Sequence, residues 1–408
     1  MDRIRQIFQN TERAIEEVKT ELRELQSYAS DEEKYKRKGL ATPMPYRGEN
    51  GEIEEQMQII QQAQDTIRLL QLKKGRKALE KLAQTKGVSD KESVMRSYAD
   101  DLEAIILAKY RPALLIKRGY KLDKDIERLG TLEDGKNKWS AVLATVAHAN
   151  FDAASGWGGA LWAAKQVGRI ETGNRSPSWL GTGFRITKDL VLTNRHVLTE
   201  QDFCWHDDNG KVKTSGNPYV EFEALYLETL PKSAVEFDEV PYMARPLQHD
   251  IGVVHLDLDA APQEYTTSTP LSLYPEPIPE NTLKGRLVYV LGHPYLDSRD
   301  PADEMDLVFR GIFGVKRLMP GRLHLEKPLG EKQIDETQTL PVLQHDCSTL
   351  GGASGSCVID LGPADPTQPK GPSYGKVIGL HFAGVYKVSN YAVPSWEVVK
   401  VLREKGMI

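Results

Sequence analysis

The sequence predicts a multidomain fold of mixed class, a helical N-terminal domain followed by a domain of many short antiparallel strands. Three observations carry that expectation. Apolar residues recur at helical spacing through the stretch that ends near Pro112. After Gln166 the texture changes to short β-rich runs separated by Gly, Pro and Asp. And 408 residues exceed what one ordinary core holds, so two or more domains are expected.

Taken in order, the first element is an apolar stripe in which Phe8, Ile15 and Leu22 recur every seven residues. Ile4, Val18 and Leu25 form the adjacent seam, with Thr11 as its polar member. Such a stripe suits a helical hairpin or short coiled coil. Turn residues from Tyr46 to Gly51 break the pattern, and Ile53, Met57, Ile60, Ile67 and Leu70 begin a second stripe. Ser89 with Glu92 three positions on has capping-box spacing for a third helix through Val94, Tyr98, Leu102, Ile105 and Ile106. Trp139 to Ala149 reads as a further helix before the glycine-rich SGWGGA. The runs VGRIE, GTGFRIT, LVLTN, YVEFEAL, IGVVHL, RLVYVLG, KVIGLHF and NYAV then alternate with turn signals, as in an antiparallel sandwich or barrel pair. Trp396 to Lys405 reads as a C-terminal helix. The expected domains are residues 1–120 (helical, regulatory or adaptor-like), 121–165 (helical connector) and 166–408 (strand-rich).

Bulk properties exclude several function classes. Lys plus Arg total 53 against 58 Asp plus Glu, a formal charge of −5, so nothing pulls the whole chain toward nucleic acid or an anionic membrane. The charged N-terminus argues against a secretory signal, and no stretch is apolar enough to span a bilayer. Three cysteines, Cys204, Cys347 and Cys357, are too few for a disulfide framework; a cytoplasmic location is expected. No metal or other cofactor is expected: H-E-x-x-H and paired-cysteine spacings are missing, and His249 and His255 beside Asp250 read as structural. The basic run Lys73, Lys74, Arg76, Lys77 lacks interleaved aromatics and reads as a solvated helix face, not a nucleic-acid site.

Three sites in the strand-rich part belong together: His196 in TNRHV, Asp250 opening the apolar strand DIGVV, and Ser354 in the glycine-rich TLGGASGS. A serine hydroxyl is a poor nucleophile at neutral pH and needs a neutral imidazole to take its proton. A carboxylate behind that imidazole fixes its tautomer and stabilises the imidazolium. Glycine before the nucleophile lets the main chain curl so that N–H groups converge on a developing oxyanion; the candidates are the amides of Gly352 and Ser354. Each motif alone has a plainer reading, as a glycine loop, a packed histidine or a turn aspartate, and Asp257 and Asp259 are rivals for the acid. Their joint occurrence carries the assignment.

The order His, Asp, Ser with a G-x-S-G-S core resembles the trypsin-like, chymotrypsin-fold serine peptidases. HDIGVVHL, LGHPYLD, KVIGLHFAG and NYAVP are similar to further strands and segments of that family, over the stretch from Gln166 to the C-terminus. The resemblance implies a chymotrypsin-like double antiparallel β-barrel, a catalytic set of His196, Asp250 and Ser354, and a protein or peptide substrate. It also implies a pocket floor at Ser348, where relatives that cut after Lys or Arg carry Asp. Ala353 stands where secreted relatives carry the Asp that pairs with a new N-terminal amine, so activation by that switch is not expected. His381 with Thr349 resembles the glutamyl-endopeptidase branch, in which such donors meet an acidic side chain. Cleavage after Glu or Asp is therefore expected, with a small or apolar residue as the rival, and Phe382, Ala383 and Gly384 are expected to offer a strand edge to the substrate backbone. Peptidases of this kind joined to helical modules resemble effectors of prokaryotic signalling or defence, in which the helices bind a protein partner. The competing reading is an inert peptidase-fold scaffold acting through its helices.

Overall fold

The computed structural model of the chain describes residues 113–117, 121–122, 159–172 and 179–408, apart from 226–233, 260, 262–267, 296–307, 310–311, 325–326, 334–338, 364, 366 and 386–388. The helices expected at the N-terminus, the basic run at 73–77 and the helix expected at 139–149 lie outside the described residues. Short elements dominate what is described. Strands β1 (Leu114–Lys117) and β2 (Lys121–Leu122) are followed by helix α1 (Gly159–Ala164). The short apolar run of β1 follows Pro112, and residues 113–116 are all buried. It joins a sheet between β2 and a later strand, ahead of the expected start of the strand-rich domain.

The first barrel is closed. It is built from β3 (Val167–Glu171), β4 (Trp179–Arg185) and β5 (Leu190–Thr193), with three later strands after the hairpin of β6 (Cys204–His206) and β7 (Val212–Thr214). Those strands are β8 (Tyr219–Glu221), β9 (Ala234–Met243) and β10 (Gly252–Leu256), and the barrel order is β10-β5-β4-β3-β8-β9. Its core holds Ile170, Val191, Phe203, Phe222, Phe237, Val254 and Leu256, with Phe203 edge-on to Phe237 at 6.1 Å. Each such side chain contributes roughly 1.5–3 kcal/mol on burial. Directly after β5 the chain turns into the five-residue helix α2 (Arg195–Thr199), which sinks Val197 and Leu198 into this core.

Helix α3 (Glu280–Leu283) leads into a second sheet of β11 (Leu287–Gly292), β12 (Arg317–Arg322), β13 (Leu329–Gln333), β14 (Thr339–His345), β15 (Cys357–Gly362), β16 (Val377–Val385) and β17 (Ser389–Pro394). The expected second barrel takes the form of a nine-stranded sheet, ordered β13-β14-β17-β16-β15-β11-β12-β1-β2. Its six inner strands curl until β12 meets β14 through a single bridge, Leu323 to His345, reinforced by Asp346 N–H donating to Arg322 O at 3.0 Å. The ring is barrel-like, and β13, β1 and β2 extend it outward because their own partners lie at its rims. The C-terminal helix α4 (Ser395–Glu404) packs Val398, Val399 and Leu402 inward.

Buried cations tie the pieces together. Lys316 donates to Ala164 O at 2.8 Å and to Phe222 O, joining α1 and the first barrel to the second sheet. Burial pushes its ammonium down to about 7, the raising influence of Glu221 and Glu223 being smaller. Arg286 grips Asp360 in two hydrogen bonds, 2.8 and 2.7 Å, where Ser373 adds a third at 2.6 Å. Among the described residues no helix is long and apolar enough to cross a membrane.

Candidate active site

His196 rides on α2 because Val197 and Leu198 anchor that helix, leaving the imidazole half-exposed at the barrel lip. Asp250 precedes β10, which pairs with β5 from Gly252–Thr193 onward, so the antiparallel register delivers the carboxylate beside α2. The result is a two-point contact: Asp250 Oδ2 lies 2.5 Å from His196 Nδ1, and Oδ1 accepts the His196 backbone N–H at 3.0 Å. Asn194 Nδ2 donates to Asp250 O at 2.9 Å and holds the turn. Burial raises the Asp250 carboxyl, but hydrogen bonds and charge from His196, with Arg195, outweigh it and hold the group below the usual carboxylate range. The rivals Asp257 and Asp259 follow β10, and Asp257 Oδ1 accepts the amide of Asp259.

Ser354 lies between β14 and β15 in a loop that makes two consecutive turns. Ala353 N–H donates to Leu350 O at 3.1 Å and Ser356 N–H donates to Ala353 O at 3.0 Å. The third residue of each turn is a glycine with positive φ, Gly352 at +77° and Gly355 at +87°. That is type II geometry, which L-side chains resist. The carbonyls from Leu350 to Ser354 are engaged: beyond the two turn bonds, Gly351 O accepts from Tyr295 N–H at 2.6 Å, Gly352 O from the Thr182 hydroxyl at 2.8 Å, and Ser354 O from Thr182 N–H at 2.9 Å. In a trans peptide the N–H points opposite to the preceding C=O, so fixing Gly351 O and Ala353 O aims the amides of Gly352 and Ser354 the other way. Among the described residues, neither amide has a protein acceptor.

The two barrels meet at this loop. A Cβ on Gly181 would stand 2.6 Å from Val197 and 3.0 Å from Ser354 O, which sets the Ser354 main chain against the helix bearing His196. The structure thus brings 196 and 250 into direct contact and lays the 352–355 loop alongside. Among the described residues, the Ser354 hydroxyl has no hydrogen-bond partner. Cys357 is buried in the core with its thiol pushed up to about 12, chiefly by burial, which leaves it inert as a nucleophile.

The expected substrate pocket is built on β14, β16 and β17. Ser348 and Thr349 are fully buried. Thr349 donates its hydroxyl proton to Asn390 Oδ1 at 2.9 Å, so that proton is directed at Asn390. His381 is buried and meets His345, Nδ1 to Nε2 at 3.3 Å, the rings edge-on. Burial pushes His345 down to about 3, and burial with charge from His345 and His196 holds His381 well below the usual imidazole range. Pairing of β16 with β15 ends at Leu380–Cys357, while pairing with β17 continues to Val385, so Ala383 and Gly384 are paired in the ladder on one side and Phe382 lies at a register shift between His381 and Ala383. His345, Asn390, Thr182 and the buried His293 were not singled out from sequence. For His293 a signal existed in LGHPYLD, and for Thr182 in GTGF; nothing local marks His345. The other histidines disperse, His249 toward Glu397 and His255 between Asp238 and Asp189. Among the described residues no cluster of three or more His, Cys, Asp or Glu has metal-binding geometry.

Comparison with known proteins bears on this site. No curated protein matches the sequence. Solved structures that align with it include the Rv3671c protease in its inactive form, at 20% identity over 60% of this chain and 90% of that chain, TM-score 0.37. The active form, from M. tuberculosis, aligns at 21% identity over 60% and 82%, TM-score 0.37. The MamO protease domain from Magnetospirillum magneticum aligns at 12% identity over 59% and 97%, TM-score 0.33. Residues 181–362 match the family model of the trypsin-like peptidase domain, a span containing His196, Asp250 and Ser354.

Proposed function

We propose that the protein is a serine endopeptidase in which Ser354 attacks, His196 moves protons and Asp250 orients His196. The observation that carries the reading is the 2.5 Å contact of Asp250 with His196 Nδ1, which leaves Nε2 as the basic nitrogen, beside a loop with two undirected amides. Ser354 Oγ bonds to the substrate carbonyl carbon as its proton passes to His196 Nε2. The carbonyl oxygen, now anionic, is received by the amides of Gly352 and Ser354. Collapse expels the amine, which takes the proton from His196, and leaves an acyl ester on Ser354. Water then repeats the sequence and releases the acid. The unmade bond between Ser354 Oγ and His196 is of the kind that tightens when substrate arrives.

The acidic preference extends this reading. Two buried neutral imidazoles share one proton between their facing nitrogens. When His345 Nε2–H donates, His381 carries its own proton on Nε2, a donor suited to a carboxylate that would compete with the Tyr391 main chain for the ring. Lys332 Nζ lies 4.5 Å from the Phe382 ring and adds positive charge beside the strand edge.

The test is labelling by a fluorophosphonate probe. Wild type is expected to label, and Ser354→Ala to label not at all. Equal labelling of both, or of neither, ends the peptidase reading and favours the inert scaffold.

A further inference from the structure

We propose that Thr182 is a positioning residue for the oxyanion hole, a cross-barrel latch that holds the Gly352 carbonyl so that the Gly352 and Ser354 amides face the substrate. The inference rests on the peptidase reading above.

Thr182 is fully buried on β4 of the first barrel, yet its polar atoms serve the loop that carries Ser354. Its N–H donates to Ser354 O at 2.9 Å, and its hydroxyl donates to Gly352 O at 2.8 Å. The same hydroxyl oxygen accepts His293 N–H at 3.1 Å, from the end of β11. Its own carbonyl accepts the Thr193 hydroxyl at 2.7 Å, three residues before His196. One residue therefore touches both turns of the loop, the segment behind them and the strand that leads to His196.

The hydroxyl matters because of what surrounds it. The other fixed carbonyls of the loop, Leu350, Gly351, Ala353 and Ser354, are held by backbone N–H groups. The Gly352 carbonyl is held by a side chain. Gly352 O belongs to the peptide that joins the two turns, between the Gly351–Gly352 peptide, held by Tyr295 N–H, and the Ala353–Ser354 peptide, held by Ser356 N–H. Without the hydroxyl that joining peptide is tethered only through Ala353 N–H to Leu350 O, so the two turns tilt more freely against each other and the Gly352 and Ser354 amides converge less well. The Thr182 hydroxyl is a neutral side-chain contact from the first barrel to the loop that carries Ser354, and it forms when the two barrels dock.

A merely structural threonine would affect melting and leave turnover of the folded enzyme alone. The experiment therefore measures kcat and KM on a peptide substrate, and the inhibition constant of a peptide aldehyde whose hemiacetal oxygen occupies the oxyanion position. Removing an oxyanion donor outright costs about a hundredfold to a thousandfold, so mispositioning one should cost less. Thr182→Val should lower kcat on the order of 10- to 100-fold with KM nearly unchanged, and weaken aldehyde binding in parallel. Thr182→Ser, which keeps the hydroxyl, should restore both to within a few-fold. Thr182→Ala replaces the valine variant if that does not fold. Wild-type kcat and aldehyde affinity in the hydroxyl-free variants, or an equal loss in Thr182→Ser, overturns the latch while the peptidase reading stands. A wild type that neither labels nor hydrolyses overturns both.

Discussion

Two histidine pairs lie on either side of the nucleophile loop, and they differ in one component. His196 on the first barrel faces a carboxylate at 2.5 Å and keeps 36% of its side chain exposed. His381 on the second sheet faces another imidazole at 3.3 Å and is 1% exposed. A carboxylate stabilises an imidazolium, so in the proposed mechanism the first pair is the one that gains a proton. Burial without a carboxylate penalises any added charge, so the second pair is built to stay neutral and offer an N–H. In the proposed mechanism the same side chain thus serves as a base or a fixed donor according to what lies behind it.

The most damaging way to break this contrast is to remove the carboxylate alone. Asp250→Asn keeps the shape but presents a partner that can impose the wrong tautomer on His196. Turnover should fall on the order of ten-thousandfold, about 5 kcal/mol of transition-state stabilisation. Steady-state kinetics beside a melting curve would measure it. A fall of less than tenfold in a folded variant would show that Asp250 is not the orienting group.

Removing the donor of the other pair should alter selectivity more than rate. A hydrogen bond to a charged group is worth about 1.5–3 kcal/mol, so His381→Leu should reduce the preference for Glu over Leu before the cut bond by about 10- to 100-fold. Because the two substrates are compared on one variant, losses from altered packing cancel. An unchanged ratio, or a wild type that prefers Lys or Arg, would separate His381 from recognition of acidic side chains.

Much of the first pair was legible in the sequence and little of the second. His196 and Asp250 sit at the ends of strands with recognisable flanks, and Ser354 sits among glycines whose positive φ values the motif already required. His345 ends an ordinary alternating strand, TLPVLQH, and acquires meaning when β14 and β16 are both paired to β17. Thr182 reads as one polar residue in GTGF, because its partners at 293 and 352 are remote in the chain and arrive as the two barrels dock. Leu114–Lys117 shows the same limit: a four-residue apolar run has no periodicity to reveal that it will extend a sheet beside β12. Local pattern gave the groups that motifs require; long-range pairing chose the groups that support them.

The smallest expected effect lies in stability against pH. An unfolded histidine titrates near 6.5, whereas burial holds His345 down to about 3 in the fold. Between those values the unfolded chain binds a proton that the folded one refuses, so stability must rise with pH through that window and fall as the solution is acidified. One such proton gives a slope of at most about 1.4 kcal/mol per pH unit between those two values, and the slope vanishes above about 6.5 and below about 3. His345→Phe removes the site while keeping an apolar ring in the core. Denaturant unfolding between pH 5 and 7.5 should show a shallower dependence in that variant than in wild type. The contrast between the pairs would fail if His345→Phe left the slope as steep as before.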